Sequence, residues 1–405
     1  MRGLLRLSAV GGLIALLLVP AAPGGSSPLA RQLAAALRSH VSRAQTGAVV
    51  YDLRTGRVVY ALHAERLLQP ASNEKIATTY AALAALGPSF RIETNALGDG
   101  TQHGKTFQGD IVLKGYGDPT LSRADLWSLA HQVKRNGITR VNGRVIGDES
   151  WFDARRAGAG WKHTFYLGQC PALSALVVDR GWNGRAETEP ALYAAQLFRR
   201  YLVDAGVSVR GPALTGIAHA DAAALGYVYS PRVSSLVRFM DLHSDNFTAE
   251  MLLKQVGAVQ RGAGTAAAGA AATRELLAAA GVPLQGIRMV DGSGLSRLNR
   301  WTATGLAAVL RQMWLDPDLR PYITTSLPVA GVTGTLVYRM RNTPAYGFVR
   351  AKTGTTEVAS ALSGFVGSRY VFSVVVNGHP VNFAAAVRAE DQFAEVLARA
   401  AKRGP

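Results

Sequence analysis

The sequence predicts an α+β fold in which one antiparallel sheet is assembled from both ends of the chain. Three observations carry this. A helix followed by a hairpin opens the chain, a hairpin followed by a helix closes it, and the long middle has a different, strand-like texture. With 405 residues, 48% of them apolar, and a mean hydropathy of +0.10, the chain has the composition of a globular protein of two to three domains.

Arg2 and Arg6 precede an apolar stretch from Leu13 to Val19 and the small residues Ala21 and Ala22. This is the layout of an export signal, here about residues 1–25, and it predicts a periplasmic or other extracytoplasmic location. The competing reading is a retained anchor, for which the apolar run is short of the ~20 residues a span needs. Leu33, Leu37 and Val41 then recur every fourth residue and predict a first helix from Leu29 to Val41. Thr46 to Leu53 and Arg57 to His63, rich in Val and Tyr and separated by Arg54-Thr55-Gly56, predict a hairpin. Ala361 to Val366 and Tyr370 to Val376 predict another, joined by Gly367-Ser368-Arg369. Glu390 to Arg399, with Phe393, Val396 and Leu397 on one face, predicts the closing helix.

From about Arg91 to Tyr229 short strand-like runs such as Gly109 to Leu113 and Arg140 to Ile146 alternate with Gly, Asp and Pro. We expect an inserted strand-rich domain at 93–228, leaving 26–92 and 229–405 to form the sheet-bearing domain. Helical signals return at Ser234 to Asp241 and at the Ala-rich Thr265 to Ala280, with Gly281 at its C-terminal end.

Charge and cysteine usage exclude some functions. The 44 Lys and Arg against 27 acidic residues give +17, but the excess is scattered, without the basic run and interleaved aromatics of a nucleic-acid surface. Nucleic acid is not an expected partner, whereas anionic wall polymers or a membrane surface are. The single Cys170 permits no internal disulfide and reads as structural. The eight histidines include no pair spaced for a metal, so neither a metal nor another cofactor is expected. His243 reads as a packed or solvated neighbour of Ser244, Asp118 and Asp291 as turn residues, and Gly262 to Thr265 as a helix lead-in.

Chemistry first suggests itself at Ser72-Asn73-Glu74-Lys75, preceded by Gln69-Pro70-Ala71 and followed by apolar residues to Leu86 and a Gly87-Pro88 stop. Ser72 at a helix N-terminus has Lys75 one turn later on the same face, so an amine can reach the hydroxyl. The helix dipole favours a developing alkoxide, and a lysine stripped of its charge can take the proton. Alone, the tetrad also fits an N-cap serine and a surface lysine. Ser244-Asp245-Asn246 and Lys352-Thr353-Gly354-Thr355 occur once each, downstream and in that order.

Ser-x-x-Lys, Ser-Asp-Asn and Lys-Thr-Gly in this order are the signature of penicillin-binding proteins and class A β-lactamases. Together with Gly117-Asp118-Pro119-Thr120-Leu121, Asp291-Gly292-Ser293-Gly294-Leu295-Ser296 and the run from Leu327 to Lys352, they make the chain resemble the class C low-molecular-mass penicillin-binding proteins. The resemblance covers about Gly47 to Gly378. It implies a serine D-Ala-D-Ala carboxypeptidase, with possible DD-endopeptidase activity, on a penicillin-binding, serine β-lactamase-like transpeptidase fold. Peptidoglycan stem peptides would be substrates and β-lactams inhibitors. Ser72 would be the nucleophile, Lys75 its base, and Ser244 and Asn246 the remaining catalytic pair. Lys352, Thr353, Gly354 and Thr355 would bind substrate, and the Ser72 and Thr355 amides would form the oxyanion hole. Thr356 departs from the leucine that often follows Lys-Thr-Gly-Thr in this family, which touches pocket shape rather than the nucleophile. The other readings are a β-lactamase or esterase of the same fold and a noncatalytic wall-binding homologue. Between Asn246 and Lys352 only Glu250 and Glu275 are glutamates, and neither stands in the Glu-x-x-Leu-Asn loop with which a class A β-lactamase activates water.

Overall fold

The computed structural model describes residues 27–403; the predicted export signal lies outside them. Helix α1 (Pro28–Arg38) starts where the Ser27 side chain accepts from the Ala30 amide and Pro28 takes the first helical position. It ends at Ser39, leaving Val41 beyond it. Strands β1 (Thr46–Asp52) and β2 (Val58–Leu62) form the first hairpin, and Gly56, at φ 70°, makes its turn. A 3-10 turn (Ala71–Glu74) then runs into α2 (Lys75–Leu86).

The stretch that follows carries β3 (Glu93–His103), β4 (Thr106–Gly115), α3 (Arg123–Arg135), β5 (Arg140–Val141), β6 (Val145–Asp148), α4 (Pro190–Asp204), β7 (Ser208–Val209), β8 (Ala213–Thr215) and β9 (Ala223–Tyr229). The strands make one seven-stranded sheet with a path β7-β5-β4-β3-β9, on which β6 pairs with β4 and β8. Two helices that the strand-rich reading does not place accompany these strands. α3 has a capping box at Ser122 and Asp125 and buries Leu126, Leu129, Ala130 and Val133, and α4 buries Phe198 and Leu202 in the same core. The run from Arg140 to Ile146 is two short strands broken at Asn142-Gly143, not one.

Beyond it lie α5 (Val233–His243), α6 (Asn246–Arg261), α7 (Ala266–Ala279), α8 (Ala303–Leu315), α9 (Arg320–Ser326), β10 (Val349–Thr356), β11 (Ala359–Val366), β12 (Tyr370–Asn377) and α10 (Phe383–Lys402). α10 begins seven residues before Glu390, where the Asn382 side chain accepts from the Ala385 amide. The first sheet has the order β10-β11-β12-β1-β2, antiparallel throughout, so the two chain ends meet where β12 pairs with β1. α1 and α10 cover one face through Leu33, Leu37, Phe393 and Leu397. α2, α5 and α8 cover the other through Ile76, Val237 and Leu310. Every residue of β11 is buried, as in a strand covered on both faces. β10 is the sheet's edge; the Pro328–Ala330 segment bonds to the start of its outer side, and the Ala71–Glu74 turn packs against both β10 and β11.

Candidate active site

Three elements converge on Ser72. The turn carrying it precedes α2, and Ala71, immediately before it, holds φ at 47°. Left-handed backbone costs a non-glycine residue roughly 1–3 kcal/mol and persists only where packing fixes it. Packing does so here: a Cβ on Gly294 would lie 1.9 Å from the Ala71 carbonyl oxygen, and one on Gly354 would lie 2.8 Å from the Pro70 carbonyl oxygen and 3.1 Å from the Ser72 nitrogen. Both glycines are there because the chain approaches the serine turn too closely for a side chain.

Lys75, fully buried at the start of α2, contacts Ser72 Oγ at 3.0 Å, Asn246 Oδ1 at 2.8 Å and the Ser293 carbonyl oxygen at 2.7 Å. A neutral amine has two N–H donors and one lone pair. Two of its partners are obligate acceptors, so in the neutral form the lone pair is left for the Ser72 hydroxyl, which then donates. Burial lowers Lys75 from its ordinary value to about 8, with Asp245, Asp291, Glu250 and Asp241 opposing the shift. Two of the surrounding carboxyls are themselves pushed up by burial and then by Asp291: Glu74 well above its usual range and Glu250 to about 8. Their retained protons limit the negative charge around the amine.

Ser244 sits between α5 and α6 at φ 54°, and its Oγ accepts from Lys352 Nζ at 2.8 Å. Asp245 caps α6 by accepting from the Thr248 amide at 2.7 Å, which places Asn246 in the first turn with its Nδ2 donating to the Gln169 carbonyl at 3.0 Å. Lys352 is fully buried and also donates to the Thr353 carbonyl at 3.0 Å. Burial, and next the neighbouring Lys75, lower it to about 7, while Asp241 opposes the shift. Two buried ammonium groups this close resist being charged together. Thr353 Oγ1 donates to Thr335 Oγ1 at 2.7 Å. The Ala351 amide donates away from β11, to the Pro328 carbonyl at 2.9 Å, so strand alternation turns the N–H groups of Thr353 and Thr355 to the same open edge. The Ser72 amide belongs to a first helical turn, whose donors have no intrahelical acceptor.

All the sequence-predicted site residues therefore meet at one place. His243 is exposed and stacks on Phe239 at 4.8 Å, Cys170 is buried, and the Asp118 carboxylate closes its own turn on the Thr120 amide at 2.7 Å. The sequence reading misses the third partner of Lys75. The Ser293 carbonyl is aimed by Glu250, which accepts from the Gly292 and Ser293 amides at 3.0 and 2.8 Å. Asp291 braces the same loop, accepting from the Ser296 amide at 2.6 Å and from Asn299 Nδ2 at 2.6 Å. It is a turn residue with a task, fixing the loop that fixes the lysine. A backbone carbonyl has no sequence signature, and the Asp-Gly-Ser-Gly run is the signal that could have located it. Among the described residues no cluster of His, Cys, Asp and Glu is arranged to hold a metal ion.

The model of the D-Ala-D-Ala carboxypeptidase 3 (S13) family matches residues 29–184 and 182–400. The D-alanyl-D-alanine carboxypeptidase of Actinomadura sp. (strain R39) is 33% identical over 422 residues, covering 83% of this chain and 78% of that protein. Carboxypeptidase DacB of Mycolicibacterium smegmatis is 31% identical over 383 residues, covering 87% and 80%. Among solved structures, penicillin binding protein 4 (dacB) from Haemophilus influenzae superposes with a TM-score of 0.82 over 93% of this chain and 99% of that one, at 22% identity, a likeness of fold.

Proposed function

As a member of the D-Ala-D-Ala carboxypeptidase 3 (S13) family, this chain is a serine-type D-Ala-D-Ala carboxypeptidase, and we propose that Ser72, Lys75, Ser244, Asn246 and Lys352 do its chemistry. The observation that carries the assignment is the threefold contact of Lys75, whose geometry leaves its lone pair for Ser72 Oγ.

Lys75 Nζ takes the Ser72 proton as Oγ attacks the carbonyl carbon of the penultimate D-alanine. The oxyanion is received by the Ser72 amide, which has no intrahelical acceptor, and the Thr355 amide, turned to the open edge of β10. The C–N bond then breaks. Ser244, in contact with Lys352, hands its proton to the departing nitrogen and takes back the one Lys75 removed from Ser72, so that terminal D-alanine leaves as the free amine and Lys75 is neutral again. The incoming terminal carboxylate favours charge on Lys352, so the single proton the lysine pair carries is drawn from Lys75 to Lys352, which with Thr353 holds the carboxylate; Gly354 lets β10 lie close enough to do so. Water then gives a proton to neutral Lys75 as it attacks the ester, and Lys75 returns that proton to Ser72 Oγ as the ester bond breaks and the shortened peptide leaves. A leaving amine that belongs to a neighbouring stem would leave in the same way, which is the endopeptidase form of the reaction.

The substrate is a peptidoglycan stem, a component of the cell envelope outside the cytoplasm. The export signal read at residues 1–25 would deliver the chain there. Among the described residues no helix is long and apolar enough to cross a membrane. β-Lactams would acylate Ser72 by the same attack. Glu250 is committed to the Ser293 loop and is not free to activate water, and the opened β-lactam keeps its amine tethered beside the ester where D-alanine would have left room for water, so the ester should persist.

The test is incubation of the mature protein with benzylpenicillin, a D-Ala-D-Ala pentapeptide and a cross-linked stem dimer, read by mass spectrometry and peptide mapping. We expect a long-lived adduct on Ser72 and release of one alanine from the pentapeptide. Label on another serine, or penicillin turnover within seconds without adduct, overturns the assignment.

A further inference from the structure

The stretch between α2 and α5 touches the site at a point outside the three motifs. Asp179, Arg180 and Gly181 hold φ at 47°, 57° and 69°, three successive residues in the left-handed region, of which only the glycine is there without steric cost. Their surroundings over-determine the turn. The Asp179 amide donates to the Leu121 carbonyl at 2.8 Å, the Gly181 amide donates to the Val178 carbonyl at 2.9 Å, and Arg123 pairs with the Asp179 carboxylate at 3.0 Å. Strain kept at such cost calls for a reason.

The side chain that the turn projects supplies one. Arg180 Nη2 donates to Asp245 Oδ2 at 2.6 Å, and the guanidinium lies 4.9 Å from the ring centre of Phe247 on α6 and 5.9 Å from that of Phe239 on α5. One residue thus grips the end of α5, the start of α6 and the residue between Ser244 and Asn246. We propose that Arg180 is a positioning residue for acylation, clamping the Ser244-Asp245-Asn246 corner so that Ser244 Oγ stays on Lys352 and Asn246 Oδ1 stays on Lys75. This rests on the acyl-enzyme reading above and gives the region between α2 and α5 a direct part in it.

A second consequence is electrostatic. Burial pushes the Asp245 carboxyl up, but Arg180 and then the Thr248 hydrogen bonds together outweigh it and leave the carboxyl below its ordinary range. The charged or titratable groups facing Lys75 are Asp241 from α5, Asp245 at the cap of α6 and Glu250 within it, Asp291 from the Ser293 loop, Glu74 from its own turn, Cys170 beside Gln169 and Lys352 from β10. Asp245 opposes the lowering of Lys75 more than any other of them, and the carboxylate that does so is the one Arg180 holds. Without the guanidinium, the Asp245 charge acts on Lys75 uncompensated and the amine keeps its proton to higher pH.

Arg180→Gly isolates the side chain, because glycine adopts the left-handed turn freely and the backbone should hold. We measure thermal unfolding, the rate constant for Ser72 acylation by benzylpenicillin per folded molecule, and its pH profile, for wild type, Arg180→Gly and Arg180→Lys. The expectation is near-wild-type melting for Arg180→Gly, acylation slower by about tenfold or more, and a rising limb displaced to higher pH. Arg180→Lys should restore the limb by returning the charge but not the full rate, since an ammonium lacks the planar fork and stack. A wild-type rate and limb in Arg180→Gly overturns the proposal. So does a lowered melting temperature with unchanged rate and limb in the folded fraction, which is what a purely structural role produces. If wild type itself forms no Ser72 adduct, the acyl-enzyme reading fails instead.

Discussion

Changing Lys352 to alanine tests the division of labour between the two buried lysines. In the wild type, Lys352 Nζ lies 2.8 Å from Ser244 Oγ and 3.0 Å from the Thr353 carbonyl, with no exposed surface. Its loss has two separable effects. A charge-assisted contact to the ligand carboxylate disappears, which is worth roughly 1.5–3 kcal/mol, or about ten- to over a hundredfold in the acylation rate constant. The positive charge beside Lys75 also disappears; Lys75 lowers Lys352, and by the same repulsion a charged Lys352 disfavours charge on Lys75, so its loss makes the protonated form of Lys75 easier to hold. Less neutral base is then present at pH 7, and raising the pH should return part of the rate. The assay is the acylation rate constant across pH for benzylpenicillin and for an ester of it that lacks the free carboxylate. Lys352→Ala should be slowed strongly with the acid and only by the pH-reversible part with the ester. Lys75→Ala should acylate with neither ligand at any pH, since no other group is placed to take the Ser72 proton. Equal slowing with both ligands and no recovery at higher pH would refute carboxylate binding by Lys352. Acylation of Lys75→Ala at a near-normal rate would move the base elsewhere.

In the wild type, acylation should follow a bell-shaped pH profile with its maximum between about 7 and about 8, where the lysine pair carries one proton: below it both are charged and no base is present, and above it neither is charged and the carboxylate is unheld. A single rising limb that never falls would show that Lys352 charge is not needed. Arg339→Ala should lower stability by about 3–5 kcal/mol, measured by denaturant unfolding, because it strips the partner from Glu390, fully buried on α10 and paired at 2.9 Å, yet leave Ser72 acylation in the folded fraction unchanged. The net charge of +17 should give weak attraction to isolated cell-wall material that falls as salt is raised from low to high concentration; sedimentation assays with salt-independent binding would exclude a role for the charge.

Much of this protein is written locally in its sequence. Periodicity and turn residues encode both terminal hairpins and the helices beside them, and hydrophobic runs on the closing strands imply a sheet joining the two ends. The Ser72 to Lys75 spacing puts amine and hydroxyl on one face of a helical turn, while their 3.0 Å contact is fixed by Asn246 and the Ser293 carbonyl, which hold the amine. The signals of α3 were present as well, in the Ser122 cap and the spacing of Leu126, Leu129 and Val133, but frequent Gly, Asp and Pro around them obscured the period. Tertiary structure alone decided the rest. The Ser293 carbonyl lies 218 residues from Lys75 in the chain, and Arg180 lies 65 from Asp245. A backbone acceptor has no side-chain identity to recognise, and a guanidinium among 44 basic residues has none that sets it apart. The protonation of the site is likewise a property of the assembled core: Lys75, Lys352 and Glu250 have ordinary titration in an unfolded chain, and only their joint burial makes one lysine a base while the other can hold an anion.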